Sequence, residues 1–98
     1  MLENVRMDAL EKNALLNALH DIDEEVYLFG SRLDLKKKGG DIDILVFSKE
    51  NNLNLSKNIS RKFFLECEEK IDVLVFDKDK LSDDQKAFID SIQLLRIK

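Results

Sequence analysis

Three aspartates begin apolar runs in this chain, and their positions are typical of cation ligands. Asp41 and Asp43 are two residues apart, so on a strand both side chains point to the same face. The run DILVF from Asp43 is nearly repeated as DVLVF from Asp72. Paired carboxylates repel unless a cation neutralises them, and oxygen ligands on a rigid strand suit Mg²⁺ or Mn²⁺ bound to phosphates. Each aspartate alone also fits a residue that begins a strand or flanks a turn.

All three glycines of the chain lie between the first apolar run and Asp41. Gly30 and Ser31 follow that run, and Gly39 and Gly40 directly precede Asp41. Glycine lets the backbone approach a ligand closely, and a Gly-Ser turn that opens a helical turn aims free N–H groups at an anion. Taken alone, the glycines are better explained by a tight turn and a loop return. Together with the aspartates, they indicate a phosphate-binding turn.

Hydrophobic periodicity predicts the elements that position these residues. The pattern favours a helix, two strands, a second helix, a third strand and a closing helix. The predicted ranges are 2–19, 26–29, 42–47, 54–69, 71–76 and, after the N-cap Ser82, 83–97. The order α-β-β-α-β-α predicts a small mixed β-sheet of the α/β (α+β) class, as one domain over residues 1–98.

The connections between strands determine which candidate residues meet. A helical crossover makes the second and third strands parallel, whereas the shorter loop before the second strand allows an antiparallel pair. Asp72 is then expected beside Asp43, about 4.8 Å away across the strands. Gly30 and Ser31 should face this pair, because the antiparallel first strand finishes at the same end. Three carboxylates beside a phosphate-binding turn are what two-metal phosphoryl or nucleotidyl transfer requires.

The composition argues against several other classes of protein. The formal charge is −4 and no long basic stretch is present, so non-specific binding of RNA or DNA is not expected. No apolar run approaches the roughly 18 residues of a membrane span, and the N-terminus lacks a signal-peptide pattern. We therefore expect a cytoplasmic protein without membrane contact. Cys67 is the single cysteine, and its place in an apolar helical pattern predicts a buried, reduced thiol.

The stretch from Leu28 to Leu45 resembles the signature of the polymerase-β-like nucleotidyltransferase superfamily. Its parts are LFGSR at residues 28–32, a loop to Gly40, and DIDIL from Asp41. The loop between the serine and the first aspartate is slightly shorter than is usual in that superfamily. In length and element order, the chain resembles the minimal nucleotidyltransferases of prokaryotes, many of which are antitoxins paired with a HEPN-domain toxin.

The resemblance implies a role for each motif residue. Gly30 and Ser31 would contact the nucleotide phosphates, while Arg32 would either hold a phosphate or pair with an acid. The implied catalytic and metal-binding residues are Asp41, Asp43 and Asp72. The last of these would lie next to the attacking hydroxyl and help to deprotonate it. The implied cofactor is Mg²⁺ as two ions, with Mn²⁺ as an alternative, and the implied substrate is ATP.

The resemblance also implies an acceptor that another molecule supplies. Larger relatives hold the acceptor with a second domain, for which 98 residues leave no space. The expected acceptor is a tyrosine hydroxyl of a HEPN-type toxin, which would be silenced by AMP. Two alternatives stay open: a module that binds nucleotide or toxin without turnover, and transfer to a small molecule or an RNA end. The predicted last helix is apolar on more than one face, which fits a toxin contact, a core position or a homodimer contact.

Overall fold

A four-stranded mixed sheet carries helices on both faces, in a computed structural model that describes residues 2–50 and 52–98. The helices are α1 (Ala9–Ala18), α2 (Asn52–Cys67) and α3 (Asp83–Ser91), and the strands are β1 (Glu25–Phe29), β2 (Ile42–Phe47), β3 (Ile71–Phe76) and β4 (Leu95–Arg96). The strand order is β3-β2-β1-β4. The predicted antiparallel β1–β2 pair and parallel β2–β3 pair are confirmed, as is the mixed α/β fold.

Side chains alternate along the strands, so the sheet has a core face covered by α1 and α2 and a second, aromatic face that contacts α3. On the core face, Val26, Leu28, Ile44 and Val46 are buried together with residues of α1 and α2. On the second face, Phe88 of α3 makes edge-to-face ring contacts with two strand residues, at centroid distances of 5.5 Å to Phe29 and 6.2 Å to Phe76. Because the side-chain period of a strand is two, Asp43 and Asp72 lie on this second face.

The first helix begins later than predicted, because a capping box starts it at Ala9. Asp8 accepts a hydrogen bond from the backbone N–H of Glu11, and the Glu11 side chain accepts one from the N–H of Asp8. The two bonds satisfy N–H groups that a helix start leaves free. Residues 2–8 form a non-helical arm instead, in which Leu2 and Val5 are buried in the core.

The predicted last helix is wrong beyond Ser91. Ile92 has an extended backbone, and Leu95–Arg96 forms β4, which pairs antiparallel with β1. Pairing satisfies the open edge of β1 and buries Ile97 in the core. The apolar residues of this segment therefore belong partly to the sheet, so they do not form one helix that is apolar on several faces.

The central elements agree closely with the predicted ranges. β2 and β3 have the predicted bounds, β1 begins one residue earlier, and α2 begins and ends two residues earlier than predicted. Glu68, with φ of 58°, follows the end of α2. Cys67 is only partly buried, and burial raises the pKa of its thiol. No helix within the described ranges is long and apolar enough to cross a membrane.

Candidate active site

Two aspartates meet at the start of the parallel strand pair. Asp43 of β2 is in register with Asp72 of β3, so the predicted adjacency of these residues is confirmed. Burial raises the pKa of Asp43 to about 6, with further contributions from the charge of Asp72, a hydrogen bond to it, and the charge of Asp41. Asp41 itself is exposed and lies just before β2. The three carboxylates thus concentrate negative charge that a cation would neutralise.

The turn after β1 lies directly against the Asp43 carboxylate of this pair. Gly30 begins a short 3₁₀ helix, Gly30–Leu33, and has φ of +83°. A Cβ atom added at Gly30 would overlap the Oδ2 atom of Asp43, so a larger residue would displace the carboxylate. Glycine is therefore required here both by the backbone angle and by the close approach. The structure brings Gly30 and Asp43 together, as the sequence predicts.

The two ends of the glycine loop, which we define as residues 30–40, also meet. A Cβ atom at Gly40, where φ is +84°, would lie 2.5 Å from Oγ of Ser31. Gly39 also has a positive φ, of +68°, yet a Cβ atom there would meet nothing within 4 Å. Gly40 thus leaves space for the Ser31 hydroxyl, whereas Gly39 is favoured only by its positive φ.

Arg32 pairs with an acid, which is one of the two roles that the sequence left open. Its Nη1 and Nη2 atoms donate to the two carboxylate oxygens of Glu11, at 3.1 and 2.9 Å. Nη1 and Nε also donate to the backbone carbonyls of Arg6 and Gly40. Arg32 is 7% exposed and Glu11 is 4% exposed. Four hydrogen bonds to protein groups hold the guanidinium in place, so Arg32 supports the glycine loop from behind.

Glu11 remains ionised in this buried pair. Burial favours a higher pKa for Glu11, but hydrogen bonds from Arg32 and from the backbone N–H of Asp8 outweigh it and hold the pKa below its usual value. A bidentate pair with further hydrogen bonds is the geometry in which a buried ion pair is tolerated. Sequence reasoning missed Glu11, although its place three residues after Asp8 is a recognisable capping-box signal.

Arg6, also missed, fastens the N-terminal arm to the glycine loop. Its backbone N–H donates to the carbonyl of Arg32 at 2.8 Å. Its side chain donates to the carbonyls of Gly39, Ser31 and Asp34, at 2.5, 3.4 and 3.3 Å. These bonds join both ends of the loop to one side chain. No local sequence signal marks Arg6, because its partners lie 25 or more residues away.

The carboxylates are suitable ligands for a hard divalent cation, although the three side chains do not converge on one point. Within residues 2–50 and 52–98, no three His, Cys, Asp or Glu side chains converge into a cation site. Asp43 is in register with Asp72, and the charges of Asp72 and Asp41 both act on it. Carboxylate oxygens are the donors that Mg²⁺ and Mn²⁺ prefer. A cation bound to these carboxylates would offset the repulsion within this group.

The sequence was compared with protein families and with curated proteins. Residues 11–95 match the model of a family described as "Nucleotidyltransferase domain". The match spans the glycine loop, all three aspartates and the Glu11–Arg32 pair. No curated protein matches the chain. The family match covers most of the chain and includes the site residues except Arg6, which lies in the N-terminal arm.

Proposed function

The chain belongs to the nucleotidyltransferase domain family, and we propose that it is a metal-dependent enzyme that transfers AMP from ATP to a hydroxyl of a partner protein. The hydroxyl oxygen would attack the α-phosphorus, and pyrophosphate would leave. One observation carries the proposal: the Gly30 turn lies against the carboxylate of Asp43, which is in register with Asp72. In such a reaction, the turn that would bind phosphate and the acids that would hold metal must be adjacent, because the metal would neutralise the charge of the phosphates.

The glycine loop supplies the binding site for the triphosphate in this proposal. A 3₁₀ helix begins at Gly30, and the first N–H groups of a helix have no partners within it. Such groups, together with the Ser31 hydroxyl, are donors for phosphate oxygens. Arg6 and Arg32 hold the loop in shape through its carbonyls. A loop that is held before ATP arrives loses less conformational entropy on binding.

Asp41, Asp43 and Asp72 would hold Mg²⁺, as two ions, with Mn²⁺ as the alternative. When bound, the ions neutralise charge on the triphosphate and on the attacking oxygen. Asp43 is half-buried and lies against Gly30, so it would orient the metal toward the phosphates. Asp72 is exposed, so its carboxylate can receive the proton of an acceptor hydroxyl that approaches from solvent.

We further propose that the acceptor is a tyrosine hydroxyl of a HEPN-type ribonuclease toxin, and that AMP on this tyrosine silences the toxin. This step rests on the resemblance to minimal nucleotidyltransferases. The exposure of both Asp41 and Asp72 supports it, because a folded partner can reach carboxylates that stand at an open end of the sheet. The protein would then act as the antitoxin of the pair.

The test is incubation with α-labelled ATP and Mg²⁺, with and without a candidate HEPN-type partner protein, followed by intact-mass measurement of both proteins. We expect one or more AMP groups on the partner. The double variant Asp41→Asn/Asp43→Asn should transfer none. The matched control is Asp21→Asn/Asp23→Asn, which removes two exposed aspartates at the same spacing away from the site and should keep full activity.

Other outcomes would assign a different function. A tight complex without AMP on the partner would identify an antitoxin that only binds. Labelled AMP on a small molecule or an RNA end, in the absence of the partner, would replace the protein acceptor. Full transfer by the Asp41→Asn/Asp43→Asn variant would refute the assignment of the metal site.

A further inference from the structure

A basic groove adjoins the candidate active site at Asp72, which belongs to both. We define the basic groove as the cavity of about 540 Å³ between residues 56–64 of α2 and residues 70–72 at the start of β3. Its charged lining residues are Lys57, Arg61, Lys70 and Asp72. We propose that this groove binds an acidic segment of the acceptor protein and thereby brings the acceptor hydroxyl to Asp72. The inference rests on the proposed function and specifies its acceptor.

Helical spacing places the groove side chains on one face of α2. Lys57, Arg61 and Phe64 follow each other at intervals of four and three residues, so they form one stripe along the helix. Ile59 and Phe63 face the core and are 1% and 0% exposed. The basic stripe is therefore held rigidly by the buried face of the same helix.

Among the described residues, the cations of the groove form no salt bridge, in contrast to other lysines of the chain. Lys49, Lys62 and Lys78 each form a salt bridge with a carboxylate, at 2.7 to 3.3 Å. Within the part of the chain that the structure describes, no salt bridge involves Lys57, Arg61 or Lys70. Three unpaired cations in one groove, in a chain of net charge −4, provide local attraction for an anionic ligand.

The uncharged lining residues fit a peptide. Ser60 places a hydroxyl group in the groove, and a hydroxyl can donate to a carboxylate, whereas the Ser56 hydroxyl already donates to the carbonyl of Val73. Phe64 is 49% exposed and offers a ring on which an aromatic side chain can pack. Three cations, one available hydroxyl and one ring match a short acidic segment that carries a tyrosine.

The surrounding charges favour such a segment over RNA. Single-stranded nucleic acid is bound along a continuous basic track with several stacking aromatics. Here the basic patch is short, and it ends at Asp72, beside Asp43 and Asp41. A long polyanion that extended beyond the groove would be repelled by these acids. In an acidic peptide, the run of acidic residues can stop at the residue that bears the acceptor hydroxyl.

The test uses short synthetic peptides with one tyrosine between runs of glutamate, or between runs of glutamine. Binding is measured by fluorescence anisotropy, and AMP transfer with Mg²⁺ and ATP is measured by mass spectrometry. We expect the glutamate peptide to bind at least about tenfold more tightly than the glutamine peptide. The charge reversal Lys57→Glu/Arg61→Glu should remove this preference. The matched control is Lys80→Glu/Lys86→Glu, which reverses two exposed lysines outside the groove and should keep it.

The readouts separate this inference from the proposed function. Selective binding of the glutamate peptide without AMP transfer would support the groove and count against protein nucleotidylation. AMP transfer that is equal for both peptides and unchanged by Lys57→Glu/Arg61→Glu would overturn the groove as the acceptor site and leave the enzyme intact. AMP transfer to a single-stranded RNA oligonucleotide that Lys57→Glu/Arg61→Glu abolishes would also overturn the acidic-peptide assignment. Far-UV circular dichroism of each variant checks that it is folded.

Discussion

Replacing Asp43 with asparagine should stabilise the metal-free protein at neutral pH, although it removes a proposed catalytic group. Burial and the neighbouring Asp72 raise the pKa of Asp43 from its usual 3.8 to about 6. The folded protein therefore holds this proton more tightly than the unfolded chain does. By linkage, this aspartate reduces the free energy of unfolding as pH rises from about 4 to 6, and the full penalty applies above that range. Asparagine carries no charge and escapes the penalty.

The size of the effect follows from the two pKa values. The difference between 3.8 and about 6 corresponds to about 3 kcal/mol, at about 1.4 kcal/mol per pH unit. Asp43 is only half-buried, so screening by water reduces this to about 1 kcal/mol. In a chain of this length, about 1 kcal/mol raises the unfolding midpoint by about 4–8 °C. We expect this increase in the free energy of unfolding and in the unfolding midpoint for Asp43→Asn near neutral pH in EDTA.

Urea unfolding followed by far-UV circular dichroism measures the gain in the free energy of unfolding, and the method suits a chain that has no tryptophan. The gain should shrink as pH falls from about 6 to about 4, and it should be absent below about 4, where Asp43 is protonated in both states. Mg²⁺ should stabilise the wild type and have less effect on the variant. Asp23→Asn, at an exposed loop position, is the control and should change little. A variant that is less stable than the wild type in EDTA, or a gain independent of pH, would refute the reasoning.

Two further substitutions test the support of the glycine loop. Gly30→Ala should cost about 1–2 kcal/mol through its positive φ, and it should reduce AMP transfer strongly because the new Cβ displaces the Asp43 carboxylate. Gly39→Ala shares the positive φ without the overlap, so comparable transfer rates in the two variants would contradict this account. Arg32→Met leaves the Glu11 carboxylate buried without its partner and should lower the free energy of unfolding by about 3–5 kcal/mol. Urea unfolding would detect this loss, and a change below about 1 kcal/mol would contradict a structural role for the pair.

The sequence predicts the centre of the fold well, because its strands are dense in branched apolar residues. The runs from Asp43 and from Asp72 read as two buried strands, and a helix between them makes parallel pairing the expected topology. The register of these strands then determines that the two aspartates meet. That part of the site needs no knowledge of side-chain packing, which explains why it could be predicted.

The ends of the chain could not be predicted in the same way. Val5 and Leu10 have helical spacing with later residues, yet Val5 is buried from a non-helical arm and Leu10 is 53% exposed. Leu95 and Ile97 alternate as strand residues do, but a segment this short reads equally well as the end of a helix. The open edge of β1 decides in favour of the strand. Such pairing depends on residues far apart in sequence, which periodicity does not record.

The positions of the arginines bear on how the protein would bind ATP. Arg32 donates to Glu11 and to loop carbonyls, and Arg6 donates to carbonyls at both ends of the glycine loop. Both guanidinium groups are thus occupied by the protein beside the place proposed for the triphosphate. The three aspartates there add negative charge. The divalent ions and the exposed lysines at 36–38 would then have to neutralise the charge of ATP. The metal proposed for catalysis would therefore also be required for ATP binding.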